Sequence, residues 1–481
     1  MKKLLIVLLS ALSLASCVKD DGNYDYTPIK PVTITGIQSS YRVFLQSTLT
    51  IPVTLTTEIA DGDLTYTWLM EADTLSRSKD LTYTFTKETA AAHTLTFEAK
   101  NTKNNVRYTK TVTLTIVSPF QTGWAFLTEK NNQATLNFLS YEGTGELYKD
   151  LYQTVNGEAL GTGAVTVKHL LDYNVNRMSV ICSTGKSVEL DGSSMVRVKY
   201  YSEDFRGTDF EPLAINSERL SEDRFLFIIS KGKIYAKGTG AAGTDDTYFQ
   251  YPLEGDERGY LAGNFYTKGS SSDYYMTYDR LNKRYLRFQV RSLSRPLTPL
   301  PLVTTSAAAF DPSNVDGESI WMGQSSARKA LSIIKTPAGK YVLHVLNSQY
   351  LNGDVQWSAD AAYTFPDGAI TATSCFVAHG TNPYLMIGTG KNLKALNLDG
   401  LSQGATALNA IATYDSEITA MNYTYDINKN INEFGIALNT GDPEFPGSFI
   451  LVNTSLTSNG AILRRVDKIG GVVKSMVRKV Q

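Results

Sequence analysis

The sequence predicts an all-β protein, a small β-sandwich followed by a seven-bladed β-propeller. Three observations predict it. A short hairpin pattern recurs seven times at intervals of about 50 residues, with no helical pattern between the copies. Ahead of the first copy, residues 31–118 alternate apolar and polar side chains with period two. Glycine (36) and tyrosine (28) are abundant while charged residues make up 19%, which suits many turns and half-buried strands.

The clearest hairpin copy is Arg224-Phe-Leu-Phe-Ile-Ile-Ser-Lys-Gly-Lys-Ile-Tyr-Ala-Lys237. Related copies start near Ala125, Met178, Phe225, Tyr275, Leu331, Tyr384 and Phe434. A Gly-Lys pair sits at the turn in four of them: Gly185-Lys186, Gly232-Lys233, Gly339-Lys340 and Gly390-Lys391. Glycine there supplies the positive φ that a tight turn demands.

With 481 residues the chain exceeds one ordinary core, so two or more domains are expected. The net charge is −1 and no basic run or basic face stands out. Nucleic-acid binding, which needs a concentrated cationic footprint, is therefore not expected. Cys182 and Cys375 fall on different blades that are not neighbours in a seven-bladed ring, so they are expected as buried free thiols.

In chain order, residues 1–16 join a Met-Lys-Lys start to a short apolar run, which reads as a secretory signal too short to span a bilayer. Leu14-Ala15-Ser16-Cys17 resembles the bacterial lipobox, which implies lipidation of Cys17. Residues 17–30 are small, polar and acidic and read as a flexible tether. The Lys19-Asp20-Asp21 run resembles the surface-export signal of Bacteroidetes lipoproteins. No later run is apolar enough to cross a membrane, so the lipid is the expected attachment.

Residues 31–118 then supply about seven alternating strands, among them Leu49-Thr-Ile-Pro-Val-Thr-Leu, Leu64-Thr-Tyr-Thr-Trp-Leu and Tyr108-Thr-Lys-Thr-Val-Thr-Leu-Thr-Ile-Val117. The Tyr66-x-Trp68 pair, the Tyr/Phe strand Leu81–Phe85 and the closing threonine-rich run resemble an Ig/PKD-like β-sandwich. Trp68 is expected in its core. Ser118-Pro119 ends the sandwich, and Gly123-Trp124 opens the propeller over residues 119–481. Tether, sandwich and Gly-Trp opening together resemble the PKD-like surface lipoproteins of Bacteroidetes. That resemblance implies an outer-membrane, surface-exposed location and association with starch-utilisation-type, TonB-dependent uptake complexes. Ring closure is expected from pairing between the segment near Pro119 and a segment after Gly460, where Ala461-Ile-Leu-Arg-Arg-Val466 has strand character.

A second pattern precedes several hairpins: Asp172-Tyr-Asn-Val-Asn-Arg177, Tyr278-Asp-Arg-Leu-Asn-Lys283 and Tyr425-Asp-Ile-Asn-Lys-Asn430. Asp and Asn cap turns with their own side chains. Asp426-x-Asn428-x-Asn430 starts like a calcium loop, but Ile431 and Ala437 stand where that loop needs Gly and Glu, so no metal is expected.

The four histidines are dispersed, and no zinc spacing, nucleophile elbow or phosphate loop occurs. Neither a cofactor nor a catalytic residue is assigned. Aromatic residues are the better lead: the segment Tyr260–Phe288, which includes Phe265, Tyr266 and Tyr275, then Trp321, and the pair Tyr350 and Trp357. The last two flank a turn-rich Leu-Asn-Gly-Asp-Val-Gln stretch and are the candidate ligand contacts. The expected function is a non-catalytic accessory subunit that binds or presents a glycan or peptide nutrient, or docks on an uptake complex. A polysaccharide hydrolase or lyase working from the propeller mouth is the alternative, because carboxylate pairs are set by distance in space. A ligand-free structural partner is the third reading.

Overall fold

The computed structural model describes residues 28–480 apart from 87, 144, 173–174, 207–209, 221–222, 240–247, 250, 270–273, 290–296, 300–307, 352–353, 402–407, 454 and 459. Cys17 and the preceding leader lie outside the described residues. No helix among them is long and apolar enough to cross a membrane. The chain divides into two compact units, one built from residues up to Val43, Ser47–Thr84 and Ala91–Thr115, the other from Ile116 onward together with the short segments Phe44–Gln46 and Phe85–Ala90.

The first unit is all-β. Its main sheet runs Ser40–Phe44, Arg107–Val117, Ala92–Asn101, Leu64–Met70 and Asp73–Ser76. Two further antiparallel ladders pair Val32–Thr35 with Thr54–Thr57 and Thr48–Ile51 with Leu81–Thr84. The period-two pattern is realised: along Ala92–Asn101, Leu95, Phe97, Ala99 and Asn101 are buried while their neighbours are not. Trp68 is fully buried, its ring centroid 5.1 Å from that of Phe97. Its indole N–H donates to the Lys79 carbonyl at 3.1 Å, so the polar end of the ring is satisfied inside the core.

The second unit is a succession of antiparallel sheets, labelled A to G. Sheet A runs Val472–Lys479, Gly123–Lys130, Gln133–Ser140 and Leu147–Tyr148. Sheet B runs Thr162–Asp172, Val175–Thr184, Val188–Asp191 and Arg197–Tyr200, and meets sheet A through the pair Gln133–Thr162. Sheet C runs Pro212–Leu220, Asp223–Ser230 and Lys233–Thr239, with Tyr235 bridging to Pro252. Sheet D runs Ala262–Lys268, Tyr274–Asp279, Arg284–Gln289 and Thr298–Pro299. Sheet E runs Glu318–Gln324, Ala330–Lys335, Tyr341–Leu351 and Asp354–Thr364. Sheet F runs Cys375–Ala378, Tyr384–Thr389, Asn392–Asn397 and Leu408–Thr413. Sheet G runs Glu417–Asp426, Ile431–Asn439, Gly447–Val452 and Ile462–Val466.

Every hairpin copy found in the sequence supplies the second strand of one sheet. These strands read as unbroken apolar runs because both of their faces are covered. On Asp223–Ser230, Phe227 and Ile229 enter the core shared with sheet D, while Leu226 and Ile228 enter the core shared with sheet B. The same division holds at each junction. Sheets A and B meet around Leu127, Phe138 and Met178, D and E around Tyr278 and Trp357, and E and F around Ile333 and Leu385. Sheets F and G meet around Met386 and Phe434, and G and A around Trp124 and Phe449. The glycines of the four Gly-Lys turns all have positive φ (79°, 72°, 77° and 54°), and all four sit between second and third strands. The architecture is propeller-like, with first strands innermost and following one another in a closed circuit from A to G and back.

Closure differs from the sequence expectation in one respect. Ile462–Val466 is the outer strand of sheet G, paired with Gly447–Val452. The strand that completes sheet A is Val472–Lys479, paired antiparallel with Gly123–Lys130. Each strand between two sheets needs apolar residues on both faces. On the closing strand Met476 packs into the core between sheets G and A and Val477 against the core between sheets A and B, whereas Ile462 and Leu463 are exposed, as an outer edge allows.

The two cysteines are free, on the second strand of sheet B and the first strand of sheet F. Burial pushes both thiols up to about 12.

Candidate functional site: an axial channel

The innermost strands line a channel with two adjoining lobes. The larger, about 680 Å³, is walled by first strands of sheets B, C, D and E. The smaller, about 490 Å³, is walled by first strands of sheets B, E, F, G and A. Val165, Thr166, Lys168 and Phe265 line both lobes. Both volumes fall in the range of roughly 300–1,000 Å³ usual for small-molecule sites.

Alternation, interrupted on Thr162–Asp172 by a bulge between Ala164 and Thr166, decides what reaches the channel. On Thr162–Asp172, Val167 packs into the core between sheets A and B, while Val165 packs into the core between sheets B and C. Lys168 stays on the channel side: its ammonium donates to the Tyr266 hydroxyl at 3.2 Å and lies 5.5 Å from that ring's centroid. Tyr266 is held in turn, its hydroxyl donating to the Ile215 carbonyl at 3.1 Å. Lys268, on the same first strand of sheet D as Tyr266 and opposite Tyr275 of the second strand, lies 5.6 Å from the Tyr275 centroid. The two tyrosine rings are 5.9 Å apart, so two ammonium groups flank one aromatic pair.

Amides complete the larger lobe. Asn216 donates to the Tyr275 hydroxyl at 3.2 Å, and Gln324 donates to the Gly269 carbonyl at 2.7 Å. Asn264 is exposed to the cavity that it lines. The smaller lobe adds Trp321, Phe376, Asn422 and Lys474, the last paired with Glu129 at 3.5 Å. No Asp or Glu stands among the described residues lining either lobe. The channel is thus cationic, rich in hydrogen-bonding groups and edged by aromatic rings. It can hold and orient a polar ligand, and no pair of carboxylates faces across it among the described residues.

The structure separates the two residues that the sequence singled out. Trp357 is fully buried in the core between sheets D and E, not displayed in a loop. The reason is local: Tyr341–Leu351 and Asp354–Thr364 pair as one long hairpin, with Ser348 opposite Trp357 and Tyr350 opposite Val355. The turn-rich stretch is only the tip of that hairpin. Tyr350 is 68% exposed on it, and neither residue lines the channel. Three other aromatics from the sequence reading, Phe265, Tyr266 and Tyr275, line the larger lobe, and Trp321 the smaller. Lys168 and Lys268 escaped the sequence reading because a lone lysine on an alternating strand carries no signal of the side it faces.

The Asp426 segment is a turn. The Asp426 carboxylate accepts the backbone N–H groups of Asn428 and Lys429 at 3.0 and 3.2 Å. No cluster of His, Cys, Asp and Glu able to hold a metal occurs among the described residues. Tyr278–Lys283 and Tyr425–Asn430 occupy different places, between second and third strands in sheet D and between first and second strands in sheet G. Their likeness is that of turn chemistry, not of equivalent positions in a repeat.

A family model described as the PKD-like family matches residues 17–163. No curated protein matches the chain. Among solved structures the chain is similar to a quinonprotein alcohol dehydrogenase-like protein from Bacteroides thetaiotaomicron. That match has 13% identity and a TM-score of 0.52, covering 92% of this chain and 97% of that one. It is also similar to the β-propeller domain of Cps50 (Swd1) from Myceliophteria thermophila, with 9% identity, 57% and 93% coverage and a TM-score of 0.32. A third is the WD40 domain of SCAP from fission yeast, with 10% identity, 73% and 92% coverage and a TM-score of 0.36. At 13% identity the first of these likenesses is one of fold alone.

Proposed function

We propose that the protein is a lipid-anchored accessory subunit at the outer-membrane surface, with an Ig/PKD-like sandwich and a seven-bladed propeller that binds a nutrient ligand on its axis. The observation that carries the binding function is the channel. First strands of every sheet converge on it and bring lysines, amides and aromatic rings together, with no facing carboxylate pair among the described lining residues. That composition favours retention of a ligand over hydrolysis, which needs two carboxylates across the scissile bond. The anchor rests on Leu14-Ala15-Ser16-Cys17. Seven blades fit the seven sheets and the interface cores between them. Docking on an uptake transporter follows from the lipoprotein resemblance and would bring the captured ligand to an importer.

Calorimetric titration against glycans and peptides, beside an activity assay on the same panel, tests this. Saturable binding without turnover, abolished by filling the channel with Thr166→Trp, is expected. Turnover of a bound glycan would put a lyase or hydrolase ahead. Binding that survives Thr166→Trp in a folded protein would move the site off the axis. For the anchor, Cys17→Ala should leave the protein soluble or unprocessed on membrane fractionation, and unchanged retention would rule the anchor out.

A further inference from the structure

We infer that the smaller lobe is a subsite for one unit of a neutral oligosaccharide, a pyranose with equatorial hydroxyls stacked on Trp321; this rests on the channel being the binding site. Of the four tryptophans, Trp68, Trp124 and Trp357 are fully buried, whereas Trp321 is half-buried and lines the lobe. Its strand departs from regular β-structure on both sides of it. The register with Ala330–Lys335 shifts between Ser319 and Trp321, and two residues further on stands Gly323. A Cβ on Gly323 would collide with the Trp321 ring, so the missing side chain is what lets the indole lie along the wall. A bulge re-aims side chains, and a glycine inside a strand weakens it and marks a close approach. The ring leans on the core between sheets E and F, its centroid 5.7 Å from that of Phe376. A strand that needed only packing here would gain more from a fully covered aliphatic side chain.

The polar groups of the lobe narrow the class of ligand. No described residue accepts a hydrogen bond from the Trp321 indole N–H or from the Asn422 amide, and neither nitrogen is sealed from solvent as that of Trp357 is. The Asn422 amide is oriented: its oxygen accepts the Thr424 hydroxyl at 3.0 Å, which turns its N–H donors the other way. Donors without acceptors beside an aromatic face suit a molecule with hydroxyl oxygens round its edge and C–H groups on its faces. A pyranose has that form when its hydroxyls are equatorial. Charge has the lesser part in this lobe. Lys474 is paired with Glu129 at 3.5 Å, and the Lys168 ammonium donates to Tyr266, which lines the larger lobe and not the smaller. A phenylalanine side chain of a peptide would stack as well but brings no hydroxyl oxygens to those donors.

The test titrates the intact protein with cellotetraose, xylotetraose and maltotetraose, and with a tetrapeptide of alanine and phenylalanine, read by calorimetry and by tryptophan fluorescence. A saccharide is expected to bind best and to shift the emission, because Trp321 is the tryptophan that its ring would cover. Trp321→Ala should weaken that binding roughly ten-fold, and Trp321→Phe should retain most of it. Asn422→Ala should cost roughly several-fold, the loss of one hydrogen bond. Gly323→Ala, which displaces the ring, should weaken binding as well, and melting temperature controls for folding in every variant. Saccharide binding that Thr166→Trp abolishes, but that leaves the emission unchanged and ignores Trp321→Ala, overturns the subsite while the channel reading stands. Preference for the peptide overturns the saccharide class and also leaves the channel reading standing. Binding that ignores Thr166→Trp overturns both readings, and no binding by any of the three saccharides overturns this one.

Discussion

Arg284 shows how one buried charge is made tolerable. Its side chain is 1% exposed, and its guanidinium meets Asp279 at 2.9 Å and Asp256 at 2.6 and 2.8 Å in a bidentate fork. Asp279 is completed by the backbone N–H groups of Leu261, Leu281 and Asn282. Arg284→Met would leave Asp279 buried with its counter-charge gone. A loss of about 3–5 kcal/mol is expected, read as a lower midpoint in denaturant unfolding. The hydrogen bonds from Arg284 hold the Asp256 carboxyl at about 2, below its usual 3.8. Stability from that pair is therefore present above pH 3.8 and is lost as pH falls toward 2. Two histidines act at milder pH. Burial lowers His344 from 6.5 to about 4, its ring stacked 3.8 Å from Phe310 and its Nδ1 3.1 Å from the Tyr285 hydroxyl. Burial and then the charge of Lys479 lower His169 likewise to about 4. The unfolded chain takes up these protons near pH 6.5 and the folded chain only near 4, so stability should fall as pH is lowered from 6.5 to 4. His344→Asn should make the fall shallower by about one proton in a plot of unfolding free energy against pH. An unchanged slope would show that His344 already carries its proton in the folded state.

At the scale of the element, the second strands decide the fold and the long hairpin of sheet E decides the fate of a candidate site. A strand between two neighbours has no polar face to spare, so Phe227 and Leu226, adjacent in sequence, serve cores on opposite sides. Trp357 serves the core between sheets D and E in the same way, packed with Met276, Tyr278 and Met322. Its indole N–H has no hydrogen-bond partner among the described residues, so the ring is retained for its bulk. Trp357→Ala is therefore expected to cost about 3–5 kcal/mol through the cavity left between those sheets. Affinity for an axial ligand, measured below the lowered melting temperature, should stay unchanged. A variant with native stability and weakened binding would reverse both assignments.

The whole second unit depends on a contact between residues some 350 apart in the chain: Gly123–Lys130 lies between Gln133–Ser140 and the closing strand Val472–Lys479. On the closing strand Val473 and Met476 are buried against the junction of sheets G and A. Arg478 donates to Glu433 of sheet G at 2.9 Å, and the Trp124 indole N–H of sheet A donates to the same carboxylate at 2.9 Å. Deleting residues 471–481 would expose the edge of Gly123–Lys130 and two apolar faces, an invitation to strand-by-strand association. A fall in melting temperature on the order of 10 °C or more, with aggregation, is expected by scanning calorimetry and light scattering. A deletion that melts as the intact chain does would mean that the ring holds without its closing strand. Fragments 31–118 and 119–481, produced separately, should each give soluble β-rich protein by circular dichroism, because each carries its own buried core.

The sequence by itself determined the class of fold, the repeat and its turns. Period-two alternation and Gly-Lys turns act over a few residues, and Gly232 needs its positive φ whatever surrounds it. Unbroken apolar runs such as Phe225–Ile229 likewise mark strands covered on both faces wherever they occur. Tyr266 and Tyr275 stood out as a crowded aromatic segment and do line the channel. Tertiary structure alone decided which strand closes the ring, because Ile462–Val466 and Val472–Lys479 have similar strand character and differ in what lies beside them. It alone decided that Trp357 is core and Lys168 is channel. The facing of a side chain is set by register and by the neighbouring sheet, and both are contacts between residues far apart in the chain.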